Sequence, residues 1–434
     1  RYRRLDSARE YAKECGYEGA VFPWQSGLSG KEETQTLHLN PRSGEWGPDY
    51  SSLQRHVSLA VAYNIWYYFW FTNDNEFMEN YGAEIFLEIC KFWINKAEMN
   101  DQRTYKIRNI VGPDEFHEML PNSTEEGLKD NSYTNIMVVW TLNRAFEILE
   151  ILNRKNKEKI IKKLNLTNSE LKKWRDVTKR LNIIISDEGV LAQFDGYFDL
   201  KELDWAHYRK KYGNIHRMDR ILRAEGKNPD EYKVAKQADV LMTFYTLKPS
   251  KVREIVKSLG YNVQEDFLKI NYDYYAKRTS HGSTMSKVVH SYLLSLLGRQ
   301  EEAYEYYLDA LKSDYIDIQG GTTGEGIHMG VMAGTVLLTL HLIAGLDLRS
   351  NEVCLNPNLV KALRSMKFNF NFRGDTYYFE VTHEKVRFFV TSMKKKEVTI
   401  NIRGSNILVG TQTPDNSREW TEYTIASSAF KKLN

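Results

Sequence analysis

Apolar and polar residues alternate along most of this chain with the period of an α-helix. Residues 58–72 place Tyr63, Trp66, Tyr67 and Trp70 on aromatic faces, and residues 76–95 bring Phe77, Tyr81, Ile85, Ile89 and Phe92 near helical spacing. Residues 131–153 offer Met137, Trp140, Leu142, Ala145 and Leu149 to a core. Residues 286–297 and 301–313 read as a helix pair around Gly298-Arg299, and residues 330–344 as an apolar helix stopped at Gly345. After Leu348 the period shortens to two. Residues 366–371, 376–382, 385–391 and 397–402 alternate with Val, Ile, Phe, Tyr and Thr, separated by turn-like Arg373-Gly374-Asp375 and Arg403-Gly404-Ser405. The pattern predicts a mainly α domain over residues 1–350 and a small antiparallel β domain over residues 351–434.

The segments between the helices hold most of the Gly, Pro, His and Trp, at residues 22–45, 111–132, 192–197, 232–239, 279–286 and 320–328. Long structured loops on a helical scaffold are where sites tend to be built. Helices alternating in this number suggest a barrel of inner and outer helices with loops gathered at one end.

Composition narrows the function. The 434 residues carry 60 basic and 57 acidic side chains, a net charge of +3, which gives no reason to expect nucleic acid as a partner. Lys-rich runs at 155–163 and 394–396 read as solvated faces. No run approaches the ~18 apolar residues of a membrane helix, so no membrane partner is expected. Cys15, Cys90 and Cys354 are scattered and odd in number, giving neither zinc spacing nor a disulfide framework. A reducing, cytoplasmic setting without a metal is the expectation. Nine Trp and 27 Tyr are many, and a sugar cleft would use some as stacking platforms.

Three segments concentrate chemistry. In Gly112-Pro113-Asp114-Glu115-Phe116-His117-Glu118 a chain break precedes three carboxylates and a histidine. Glycoside cleavage needs a carboxylic acid to protonate the departing oxygen, and crowded acids raise one another's pKa. Helix capping by Asp114 and Glu115 is the plainer reading. Thr279-Ser280-His281-Gly282-Ser283-Thr284-Met285-Ser286 precedes an apolar helix and could be an anion site or an ordinary Ser/Thr cap. Gly320-Gly321-Thr322-Thr323-Gly324-Glu325-Gly326-Ile327-His328 has the same character. Lys236-Gln237 offers donors for sugar hydroxyls, and Trp24-Gln25 sets an aromatic ring beside an amide. Either pair could equally be surface or packing.

Together with Asp130-Asn131-Ser132-Tyr133-Thr134-Asn135, these segments in this order resemble glycoside hydrolase family 65, the maltose, trehalose and kojibiose phosphorylases and related hydrolases. The resemblance implies an (α/α)6 barrel followed by a small β domain. It implies inverting phosphorolysis of an α-glucoside such as kojibiose, trehalose, maltose or nigerose to β-glucose 1-phosphate. Inorganic phosphate is then the co-substrate and no cofactor is needed. By motif, Glu115 matches the general acid, Lys236 and Gln237 the ligands of the transferred glucose, and Ser283, Thr284, His281 and His328 the phosphate cradle. Trp24 and Gln25 match the acceptor site, where relatives often carry Glu in place of Gln25. Glu325 would be the base if the enzyme were an inverting hydrolase, and a non-catalytic sugar-binding fragment is the third reading. The family is often dimeric, which makes a homodimer compatible with the chain. The family's N-terminal β-sandwich, linker and early Phe-Trp-Asp segment have no counterpart here. The expectation is a polypeptide that begins inside the barrel and is weakly stable alone, the remainder belonging to a full-length protein or another chain.

Overall fold

The computed structural model describes residues 1–318, 324, 326–413 and 419–425. By compactness the chain forms two units. The first comprises residues 1–66 and 75–286, and the second residues 67–74, 287–318 and the described residues from 324 onward.

The first unit is helical. A long buried helix, Ser132–Ile151, begins with Asn131 accepting from the Thr134 amide, and its residues 132–142 are all buried. Its buried polar residues Ser132, Asn135 and Thr141 are hydrogen-bonded to carbonyl oxygens, as burial requires. The helix Ala83–Lys96 is enclosed over nearly its whole length, with Phe86, Phe92 and Trp93 in the core, and it continues a π-helical turn at Met78–Gly82. The predicted helix over 76–95 is thus nearly continuous but changes its winding midway. Other helices bury one edge only. Arg154–Lys163 buries Ile160 and leaves its lysines to solvent, and Asn168–Arg180 buries Trp174, Val177 and Thr178. Shorter helices at Trp205–Tyr212, Met218–Ala224, Asp239–Thr246, Pro249–Ser258 and Phe267–Ala276 follow.

The second unit contains the helix Gln300–Lys312 and the helix Met329–Thr339 with its π-helical extension Leu340–Ala344. Gly345 ends the latter at φ 62°, a left-handed conformation that suits glycine. A Cβ there would also meet the Asn356 carbonyl oxygen at 2.0 Å, so no other residue fits.

Eight strands form two four-stranded sheets. One takes Ser365–Phe372, Asp375–Thr382, Lys385–Thr391 and Thr421–Thr424 in antiparallel neighbours. The other takes Leu346–Asp347, Val353–Leu355, Glu397–Ile402 and Ser405–Gly410, with one parallel pair at Val353↔Ile400. Burial alternates along Asp375–Thr382, so Tyr377, Phe379 and Val381 face inward with Val386, Phe388, Val390, Ile400 and Ile402. The mainly α architecture with a small, largely antiparallel β part agrees with the sequence pattern.

Candidate active site

The site grows from the Gly112-Pro113 loop inside the first unit. Val111 donates to the Leu53 carbonyl at 3.0 Å, and the next residue, Gly112, leaves no room for a side chain. A Cβ there would lie 2.0 Å from Asp239 Oδ2 and 2.5 Å from Asn131 Nδ2. Pro113 and Asp114 therefore enter between the start of the buried helix Ser132–Ile151 and the segment leading to Asp239.

Asp114 is buried and fully occupied. Its Oδ1 accepts from the Lys236 amide at 2.8 Å and the Phe116 amide at 3.4 Å. Its Oδ2 accepts from Gln193 Nε2 at 3.1 Å and lies 3.1 Å from His117 Nδ1. The Asp114 amide donates to Asp239 Oδ1 at 2.6 Å, and Asn131 Nδ2 holds the other Asp239 oxygen. Burial, then the neighbouring Asp114 charge, raises the pKa of the Asp239 carboxyl. His117 Nε2 lies 2.8 Å from the Tyr232 carbonyl. Burial opposes a charge on this ring, but Asp114 outweighs it and raises the pKa.

Glu115 stands between these anchored residues and is the group that reaches out, its side chain 34% exposed. Its Oε2 accepts from Lys236 Nζ at 2.7 Å. Gln237 donates through Nε2 to the Pro113 carbonyl at 2.9 Å, while its Oε1 is buried without a protein partner. A buried acceptor in that state is suited to a ligand hydroxyl.

The hydroxyl-bearing loop lies on the same side. Ala235 bridges Thr279, with the Ser280 amide donating to the Ala235 carbonyl at 2.8 Å. Gly282 is so close to the acid segment that a Cβ would meet Phe116 Cζ at 3.0 Å and Lys236 Cγ at 3.1 Å. The structure thus brings Glu115, Lys236, Gln237 and this loop together. Beyond Gly282 the helix Thr284–Leu296 begins. Ser283 Oγ accepts from the Met285 amide at 3.2 Å, an ordinary capping contact. Thr284 is buried, and His281 takes a left-handed φ of 58° with Nδ1 2.8 Å from Ser286 Oγ.

Trp24 is fixed by its amide donating to Glu32 Oε2 at 2.9 Å, and its ring lies 5.8 Å from that of His56. Gln25 is exposed, its amide shared between Glu32 and Thr34. His56 carries the connection inward. Burial pushes it down to about 4, against the Val111 carbonyl and the charge of Glu115. His328 belongs to the second unit, where its Nδ1 lies 2.8 Å from Asp314 Oδ1 and its amide donates to Asp314 Oδ2. Glu325 lies outside the described residues.

The Glu118 carboxyl is pushed up to about 7, first by burial and to a lesser degree by Asp230 and Asp49, although Arg223 sits 3.0 Å away. Sequence reasoning missed His56, Asn131, Gln193 and Asp239 as site residues. Asn131 lies within the Asp130–Asn135 motif, and Gln193 and Asp239 within the loop segments 192–197 and 232–239, but none had a role there, and nothing local marks His56. Among the described residues no three His, Cys, Asp or Glu are grouped to hold a metal ion, and no helix is long and apolar enough to cross a membrane.

Comparison with known proteins follows the same lines. Residues 1–337 match the glycosyl hydrolase family 65 central catalytic domain, and residues 346–409 match the family's C-terminal domain. A trehalose 6-phosphate phosphorylase of Lactococcus lactis is 46% identical over 374 residues, 86% of this chain and 47% of the relative. An uncharacterized glycosyl hydrolase of Mycobacterium tuberculosis is 43% identical over 93% of this chain and 30% of its own length. This chain therefore spans less than half of either relative. Among solved structures, one described as a kojibiose phosphorylase from the human microbiome aligns with a TM-score of 0.77 and 25% identity, over 99% of this chain and 56% of that one. The alignment identifies the helices as those of an (α/α)6 barrel.

Proposed function

Because the chain belongs to glycosyl hydrolase family 65, we propose that its full-length protein cleaves an α-glucosidic bond with inorganic phosphate, releasing β-glucose 1-phosphate and an acceptor sugar. Residues 1–350 are then the catalytic part and residues 351–434 an appended β domain. The observation that carries this reading is the packing of Gly282 against Lys236, which sets the hydroxyl-bearing loop beside the Glu115–Lys236 pair.

The chemistry is a single displacement. Phosphate oxygen attacks C1 from the face opposite the leaving group, forming the C1–O–P bond as the C1–O bond to the acceptor breaks. Glu115 gives its proton to the departing oxygen. With Lys236 on Oε2, the proton to be given sits on Oε1. Attack from the opposite face converts the α-anomer to the β-product. Phosphate is already anionic near neutral pH and needs no base, unlike the water of an inverting hydrolase. Holding it in line supplies rate through effective concentration. Ser283, Thr284 and His281 supply donors for it, and charge-assisted hydrogen bonds of this kind are the strong ones. The buried Gln237 Oε1 and the Lys236 ammonium serve the transferred glucose, and Trp24 with Gln25 the acceptor.

The acceptor we favour is a phosphorylated glucose, so that the substrate resembles trehalose 6-phosphate rather than an uncharged disaccharide. The 46% identity to the Lactococcus lactis enzyme supports this.

Synthesis in reverse tests the reading. The full-length protein is given β-glucose 1-phosphate with glucose, glucose 6-phosphate, rhamnose or glycerol, and phosphate release is followed. Release with glucose 6-phosphate well above the others supports both parts of the proposal. Release with glucose alone overturns the phosphorylated acceptor, and no release with any acceptor counts against phosphorolysis.

A further inference from the structure

We infer that Asp114 and Asp239 are positioning residues which together aim the Glu115 carboxyl, an assignment that rests on the proposed phosphorolysis. Glu115 is flanked on both sides by amides held by a buried carboxylate. The preceding N–H, of Asp114, donates to Asp239 Oδ1 at 2.6 Å, and the following N–H, of Phe116, points to Asp114 Oδ1 at 3.4 Å. The same Asp114 oxygen takes the Lys236 amide at 2.8 Å, so one carboxylate fixes the backbone beneath both members of the Glu115–Lys236 pair.

Neither aspartate is free to touch a substrate. Both are 1% exposed, and every oxygen has a protein donor or ring nitrogen against it. His117 adds a constraint of its own. Its Nε2 faces the Tyr232 carbonyl, which can only accept, so that nitrogen carries a proton. Its Nδ1 faces Asp114 Oδ2, so one further proton is shared between ring and carboxylate. Gln193 closes the set, donating to Asp114 at 3.1 Å and accepting from the Asp239 amide at 2.7 Å. Such a network is costly unless every member is satisfied, and here it is satisfied around one catalytic carboxyl. A side chain reaching out from a backbone held at both neighbours keeps its angle of approach, which a bare loop would not.

The test separates aiming an acid from holding the fold. α-Glucosyl fluoride loses fluoride with little protonation, so its conversion by phosphate to β-glucose 1-phosphate and fluoride needs phosphate and the glucose subsite but little from Glu115. In the full-length protein, Asp114→Asn should lower turnover of the disaccharide by about a hundredfold, as misplacement by an ångström can. Turnover of the fluoride should fall at least tenfold less. Losses equal for the two substrates would overturn the assignment, because a smaller folded fraction lowers both alike. If Asp114→Asn does not fold, Gln193→Met removes one donor from the same carboxylate and should give the same inequality at lower amplitude, with equal losses again contradicting it. Wild-type protein that makes no β-glucose 1-phosphate from either substrate refutes the underlying reaction, a result distinct from any pattern among the variants.

Discussion

The Glu115 carboxylate and the Lys236 ammonium meet at 2.7 Å across 121 positions of sequence, and the loop at Gly282 packs on the stem of the same lysine. The pair is partly exposed, so its worth to stability is small, about 1 kcal/mol or less. Lys236→Met should therefore leave the melting temperature almost unchanged while turnover falls by about tenfold or more, the scale of a lost charged contact to the reacting sugar. Calorimetry beside steady-state kinetics checks this. A large drop in melting temperature with turnover per folded molecule intact would reassign Lys236 to the fold.

Gly282 has no room for even a methyl group, since a Cβ would sit 2.7 Å from the His216 carbonyl oxygen as well as against Phe116 and Lys236. Gly282→Ala should cost about 1–3 kcal/mol by overpacking. It should also push the loop from Lys236 and lower turnover. Denaturant unfolding and kinetics on the same preparation give both numbers.

Two buried groups make opposite contributions to stability as pH changes. Glu118 rises to about 7 on folding, so its stabilising effect is complete below its unfolded value and is lost as pH rises through 7. His56 falls to about 4, so its effect is present above its unfolded value of about 6.5 and is lost as pH falls through 4. Between these limits the slopes oppose. Glu118→Gln should leave stability rising more steeply with pH between about 4.5 and 7, and His56→Gln should tilt it the other way. Thermal melts across that range read the sign, and parallel curves for both variants would show the two groups not to be titrating as described.

The proposed phosphate donors of the loop before Met285 are Ser283, Thr284 and His281. Ser283→Ala should raise the KM for phosphate by about tenfold, the loss of one charge-assisted hydrogen bond. The KM for the glucoside should stay within about twofold of wild type. Weakened sugar binding at constant phosphate KM would reverse the assignment of that residue.

Much of this arrangement is legible in the sequence. Long apolar stripes give the long helices, and the alternation after Leu348 gives three strands of the Phe379 sheet and Glu397–Ile402 of the other, but not Thr421–Thr424. Helices such as Arg154–Lys163 escape because one buried residue, Ile160, makes no period. The strands Leu346–Asp347 and Val353–Leu355 are too short to alternate visibly. In the site, Glu115, Lys236 and Gln237 are marked by residue type within their motifs. The contacts that hold them are not, because Asp239 meets Asn131 and Asp114 across 108 and 125 positions. Sequence alone shows no sign of which buried carboxylate faces which amide. The difference between the outward Glu115 and the enclosed Asp114, adjacent in the chain, exists only once the loop is folded.

The most direct measurement is phosphate dependence with and without the proposed acid. Full-length protein is incubated with trehalose 6-phosphate, or whichever glucoside it accepts, and the products are followed by NMR. β-Glucose 1-phosphate should form in step with phosphate consumed, and Glu115→Gln should lower that rate by about 10²–10⁴-fold. Glucose released equally fast without phosphate, or an unchanged rate in Glu115→Gln, would contradict the account.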